Sequence, residues 1–151
     1  MAYQTIRDVV AHVRALHRRL QHLVGETRTH MDDQRFALLL DFINQHESAL
    51  EQALEAVEQR GSEAVLNTWL QFEQTAEVDR AMRRSEPMPS GSGDEIVRHV
   101  LQTEKTLIRL YQLLQGSTGS PTVQSFFSGL LEMEDSAVRR SARARLEAGD
   151  W

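Results

Sequence analysis

Residues 94–115 read DEIVRHVLQTEKTLIRLYQLLQ, and their pattern decides the fold. Val97, Val100, Glu104, Leu107, Tyr111 and Leu114 recur there at alternating spacings of three and four. That spacing lines them up as one inward stripe on a bundled helix. Glu104 sits at the middle of the stripe rather than at an end. A carboxylate there costs roughly several kcal/mol to desolvate unless it meets a proton, a cation or hydrogen-bond donors.

The same anomaly recurs in three other stretches. Phe36, Leu40, Ile43, Glu47, Leu50, Leu54 and Val57 place Glu47 mid-stripe. Val123, Phe127, Leu130, Glu134 and Ala137 do so for Glu134. In Ile6, Val10, Val13, His17, Leu20 and Val24 the polar member is His17. Four stripes thus carry one ionisable residue each, near the centre.

With 151 residues, the chain suits one domain spanning 1–151 with a real core. No apolar run approaches the ~20 residues a membrane helix needs, and no signal-peptide block opens the chain. A cytoplasmic setting is expected, and no membrane partner. The chain has no cysteine, which excludes disulfides, thiolate metal sites and a cysteine nucleophile. A net charge of −5 disfavours nucleic acid as a partner. Arg139, Arg140, Arg143 and Arg145 read as a solvated helix end, where cations meet the negative pole of the dipole. A homodimer is left open, and no residue names a protein partner.

Taken in order, a first helix is expected over about 4–24, ending at Gly25 as a left-handed cap. Arg7, Asp8, Arg14, Arg18 and Arg19 form its outer face. Asp32 or Asp33 can cap a second helix that runs to about Arg60 and ends at Gly61. Ser62-Glu63 opens a shorter helix to about Glu73, with Val65, Leu66, Trp69 and Phe72 on one face, packing across the bundle. Pro87, Pro89 and Ser90-Gly91-Ser92-Gly93 mark a crossover, about 61–93 in all. A third helix follows from about Asp94 to Gln115, with Asp94 as cap. Ser120 and Pro121 start a fourth that runs to about Glu147.

Moving forward 87 residues takes His17 to Glu104, Val24 to Tyr111, Ile43 to Leu130 and Glu47 to Glu134. The chain therefore reads as a doubled helical hairpin, about 4–60 and 94–147. The expected fold is all-α: an antiparallel four-helix bundle with one long crossover.

On these residues the chain resembles the ferritin-like superfamily, its rubrerythrin-like branch most closely. That family sets a glutamate on the first and third helices and Glu-x-x-His on the second and fourth, all pointing inward at two metal ions. Glu104, with Tyr111 seven residues on, resembles the third-helix motif. Glu47-Ser48-Ala49-Leu50 is similar to the second-helix motif with leucine in the histidine's place. Glu134-Asp135-Ser136-Ala137 is similar to the fourth, with alanine there, and His17 stands where the first-helix glutamate belongs. The resemblance implies a ferritin-like bundle with a degenerate di-metal site, its four candidate ligands being His17, Glu47, Glu104 and Glu134, with Tyr111 beside them.

Three readings of this layer stay open. Three carboxylates and one histidine suit a single Zn²⁺, Fe²⁺ or Mn²⁺ ion. A metal-free network is the second, with His17 protonated and one glutamate neutral, fixing helix register. In the third, the glutamates lie at stripe edges where water reaches them. His46-Glu47 begins a zinc-protease motif but Leu50 ends it. His12 and His22 read as surface residues, His30 lies in a loop, and Trp69 with Phe72 read as aromatics packed on their own bundle. The expected function is a binding, interaction or structural module holding one divalent ion or none. The competing class is a non-haem iron or manganese enzyme handling oxygen or peroxide with an atypical ligand set.

Overall fold

The computed structural model describes residues 5–70 and 92–149. Among these the chain is all-helical, apart from the links and one isolated bridge between Thr5 and Trp69. Four long helices, α1 (Ile6–Thr29), α2 (Gln34–Arg60), α4 (Gly93–Gly116) and α5 (Pro121–Gly149), are joined by short α3 (Glu63–Leu66). Helix α1 packs most extensively on α2, and α4 on α5; the pairs meet through α2 with α5 and α1 with α4.

Each helix begins where a side chain can satisfy its orphan amides. Thr5 and Asp8 close a capping box on α1, Asp33 accepts from Arg35 and Phe36 on α2, and Ser62 caps α3. Ser120 accepts from Val123 at the start of α5. Ser92, rather than Asp94, caps α4, so that helix starts a residue earlier than expected.

Two boundaries differ more. Helix α1 continues through Gly25 to Thr29, because Gly25 keeps a helical backbone and none of the described glycines has positive φ. Its missing Cβ faces the Asn44 amide of α2 instead, 3.8 Å from where a Cβ would stand. Gly61 follows Arg60 as the C-cap of α2, as expected, in an extended conformation with φ −69° and ψ 165°. The expected helix to Glu73 stops at Leu66, and its residues from 71, Phe72 included, lie outside the described set, as does the crossover over 71–91. Val65 and Leu66 are buried as expected, but Trp69 is 70% exposed and does not pack on the bundle.

Ion pairs tie α1 to α2. Arg7 donates to the Glu58 carbonyl, Arg14 bonds Glu51 at 2.8 Å and Glu58 at 2.6 Å, and Arg28 bonds Asp41. Arg14 is therefore half-buried against α2, not on the outer face. Between α4 and α5, Asp94 pairs with Arg145, and Gln115 donates to the Gln124 carbonyl and to Ser128.

The apolar interior comes in two clusters. One gathers Val13, Leu16, Leu54, Leu107, Tyr111 and Phe127. The other gathers Leu20, Val24, Leu40, Ile43, Val97 and Val100. Between Leu16 and Leu20, between Ile43 and Leu54, and between Val100 and Leu107, a polar residue interrupts each helix. Near the second cluster, a Cβ on Gly93 would meet Met31 Cε at 2.5 Å and Phe36 Cε1 at 2.6 Å. Gly93→Ala should cost about 1–2 kcal/mol in urea unfolding, overpacking outweighing the gain in helix propensity. A stabilised variant would show that Phe36 has room to retreat.

Candidate functional site

His17, Glu47, Glu104 and Glu134 are fully buried, on α1, α2, α4 and α5 respectively. This excludes the reading in which the glutamates sit at wet stripe edges. The four meet at one level. His17 Nδ1 is hydrogen-bonded to Glu47 Oε2, and Nε2 lies 2.8 Å from Glu134 Oε1 across 117 residues of sequence. The Glu104 carboxyl lies against that of Glu47. Two buried carboxyl groups in contact cannot both stay ionised without compensation, so one of them leans to the neutral form.

The electrostatics say which one does. Burial alone would push the His17 imidazole down, but the Glu134 and Glu47 carboxylates outweigh it and hold its pKa well above the ordinary value. Burial would raise Glu47, yet the His17 charge and then the neighbouring Glu104 carboxyl bring it below its ordinary value. Glu104 has no cation beside it: burial, then Glu47 and Glu134, drive its pKa well above normal. Burial also raises Glu134, with His17 opposing. These directions favour a protonated His17 held between Glu47 and Glu134, with Glu104 the carboxyl of the layer driven furthest toward its neutral form.

Tyr111 is buried beside the layer, its pKa raised well above normal by burial and then by the Glu134 charge. Its hydroxyl, Glu47 Oε1, Glu134 Oε2 and both Glu104 oxygens have no hydrogen-bond partner. Thr103 and Ser141 are further buried hydroxyls without partners, and neither stands out in the sequence reading. Ser141 could have been found: it extends the stripe of Glu134 and Ala137 by one four-residue step.

The fit to a metal centre is poor. Both ring nitrogens of His17 already serve carboxylates, so no imidazole lone pair is directed at a cation. Leu50 and Ala137, where the resemblance would need histidines, are buried and apolar. Among the described residues no group of three or more His, Asp or Glu side chains is arranged to hold a metal ion.

The lesser candidates stand apart from this layer. His22 pairs with Glu26 on the surface, and His46 stacks edge-on against Phe42. Arg145 is bonded to Asp94 and Arg139 to Asp135, within or between helices. No described helix is long and apolar enough to cross a membrane. Compared with protein families, curated proteins and solved structures, the chain finds no match in any of the three.

Proposed function

We propose that this chain is a ferritin-like bundle of four antiparallel helices acting as a binding or structural module, with imidazolium in place of a metal ion. The observation that carries the reading is the double engagement of His17. A divalent cation in such a layer neutralises carboxylates from several helices at once; a protonated His17 does the same for Glu47 and Glu134. The antiparallel arrangement is supported by partner numbers that fall along α2 as they rise along α1: Arg7 with Glu58, Arg14 with Glu51, His17 with Glu47, Arg28 with Asp41. The two short links, 30–33 and 117–120, and the cyclic packing of the four long helices support the bundle. A buried ionic layer of this kind fixes which helix level meets which, because any slip would leave a charge unpaired.

One observation favours a second reading, a non-haem iron or manganese enzyme: the oxygens of Glu47, Glu104, Glu134 and Tyr111 that no protein donor serves. Elemental analysis of protein purified without an affinity tag or chelator separates the two. Metal below one-tenth of an equivalent (~0.1 per chain), before and after reconstitution with Fe²⁺, Mn²⁺ or Zn²⁺, is expected of the proton-held layer. Stoichiometric metal would reverse the conclusion and return the enzyme reading.

The pH dependence follows from the same charges. A carboxyl whose pKa is raised on folding stabilises the native state below its unfolded value, near 4.5, and that stability drains away as pH rises through the folded value. Glu104→Gln keeps the shape and the donor but cannot ionise. It should be near neutral at pH 5 and stabilising by about 1–3 kcal/mol at pH 8. Urea midpoints across that range measure it, and a clear loss of stability at both pH values would mean that Glu104 is an ionised acceptor.

A further inference from the structure

His17 spends both ring nitrogens, one on Glu47 Oε2 and one on Glu134 Oε1. The outer oxygens of those two carboxylates, Glu47 Oε1 and Glu134 Oε2, have no partner, and neither do both Glu104 oxygens and the Tyr111 hydroxyl. All four side chains are buried. They also stand close together. Glu47 and Glu134 flank one imidazole ring, the Glu104 carboxyl lies against Glu47, and Tyr111 feels the Glu134 charge. Five polar atoms at one level of the interior are thus unserved by other side chains. Leaving even one such atom unpaired destabilises a fold, and native interiors rarely leave several together.

Donors in reach of these atoms are few. Carboxylate oxygens only accept, so the Tyr111 O–H and any protonated carboxyl must serve the whole group, the His17 nitrogens being committed. The layer lacks donors more than it lacks positive charge, because a protonated His17 already stands between Glu47 and Glu134. A metal ion added beside that imidazolium would be repelled by it. Water meets both conditions. It is neutral, it donates twice and accepts twice, and it is held inside proteins where about three polar groups meet it. On α5 there is width for it: Ala137 lies three residues beyond Glu134, shares its face, is buried and carries nothing past Cβ.

We propose that the layer is a binding site for internal water, held by Tyr111, Glu104 and Glu134 with Glu47 beside them. The inference rests on the reading of the layer as proton-held and metal-free, and it names the ligand of that layer. Tyr111 or Glu104 donates to the water, and the water donates to Glu134 Oε2 and Glu47 Oε1. His17 ties α1 to α2 and α5. The water brings in α4, whose two polar members, Glu104 and Tyr111, have no hydrogen bond to the other helices. All four long helices are then joined at one level.

A crystal structure of the intact chain, shown to be metal-free by elemental analysis, tests it together with Tyr111→Phe. Water density should lie within about 2.6–3.2 Å of at least two of Tyr111 Oη, Glu134 Oε2 and the Glu104 oxygens. Tyr111→Phe keeps the ring and takes away one partner of that water, so it should lower the urea midpoint by roughly 0.5 M. A hydroxyl stranded in a dry interior is a burden instead, and removing it would raise the midpoint. A raised midpoint, or a metal-free layer without water density, overturns this inference and leaves the proton-held reading standing. Stoichiometric metal in the layer overturns both.

Discussion

His17→Leu should lower the stability of the chain by about 3–5 kcal/mol at pH 7, the cost of stranding buried charge when one partner of a buried pair is removed. Both ring nitrogens are committed, to Glu47 and to Glu134, and all three side chains are fully buried. Leucine fills a similar volume, so packing changes little and the loss reports charge. Two carboxylates then face each other without a cation, and one must take a proton from solvent. The deficit should therefore shrink on acidification, as the stranded carboxyl groups become neutral. Adding Glu47→Gln and Glu134→Gln to His17→Leu removes the charges along with their counter-ion and should recover about half the loss or more. Urea unfolding at pH 5 and pH 7 measures each member of the series. A loss under about 1 kcal/mol for His17→Leu would show that water or relaxation already serves the two glutamates, and the bridging role would be lost.

The pH profile of the wild type carries the same signature with opposite limits. Glu47, depressed on folding, contributes stability above the unfolded carboxylate value and loses it as pH falls through its lower folded value. His17 and Glu104, both raised, contribute below their unfolded values and lose it as pH rises through their folded ones. The chain should therefore be most stable on the weakly acid side of neutrality.

What the sequence makes legible follows from which forces are local. The four stripes and their single polar members are readable because burial imposes a period, and each of the four residues is fully buried where the period puts it. Helix starts are readable to within a residue or two, because a cap is a local side-chain bond, as at Asp33 and Ser120. Helix ends are less so. Gly25 looks like a terminator in isolation, but its backbone stays helical where α1 lies against Asn44 of α2. Two further misreadings have a tertiary cause. Arg14 alternates with outward-facing residues along α1, and only the approach of Glu51 and Glu58 draws it inward. Spacing can say that His17 meets carboxylates but not that it meets two at once, which depends on the ring's orientation between α2 and α5.

Leu50→His combined with Ala137→His should turn the proton-held layer into one that competes for metal. Both positions lie three residues beyond a buried glutamate and are themselves buried, Leu50 at 7% and Ala137 at 4% exposure. Residues three apart share a helix face, so each introduced imidazole should project beside Glu47 or Glu134. Leu50→His buries polarity and Ala137→His adds bulk, at a combined cost of about 1–3 kcal/mol before any metal is added. With these two, the layer offers two imidazoles that are not committed to carboxylates, alongside three glutamates. A cation must still displace the His17 proton from between Glu47 and Glu134, since both cannot neutralise the same oxygens. Uptake should then release a proton and strengthen as pH rises, a coupling that adventitious surface binding to His22 or His30 would not show in the same way. The expected result is more Co²⁺ or Fe²⁺ per chain than in the parent, with a melting temperature that rises with metal concentration through linkage. Calorimetry in two buffers of different ionisation enthalpy reads the proton. A well-folded double variant that takes up no more metal than the parent would mean that the two half-sites do not face each other, and the ferritin-like reading of the interior would fail with it.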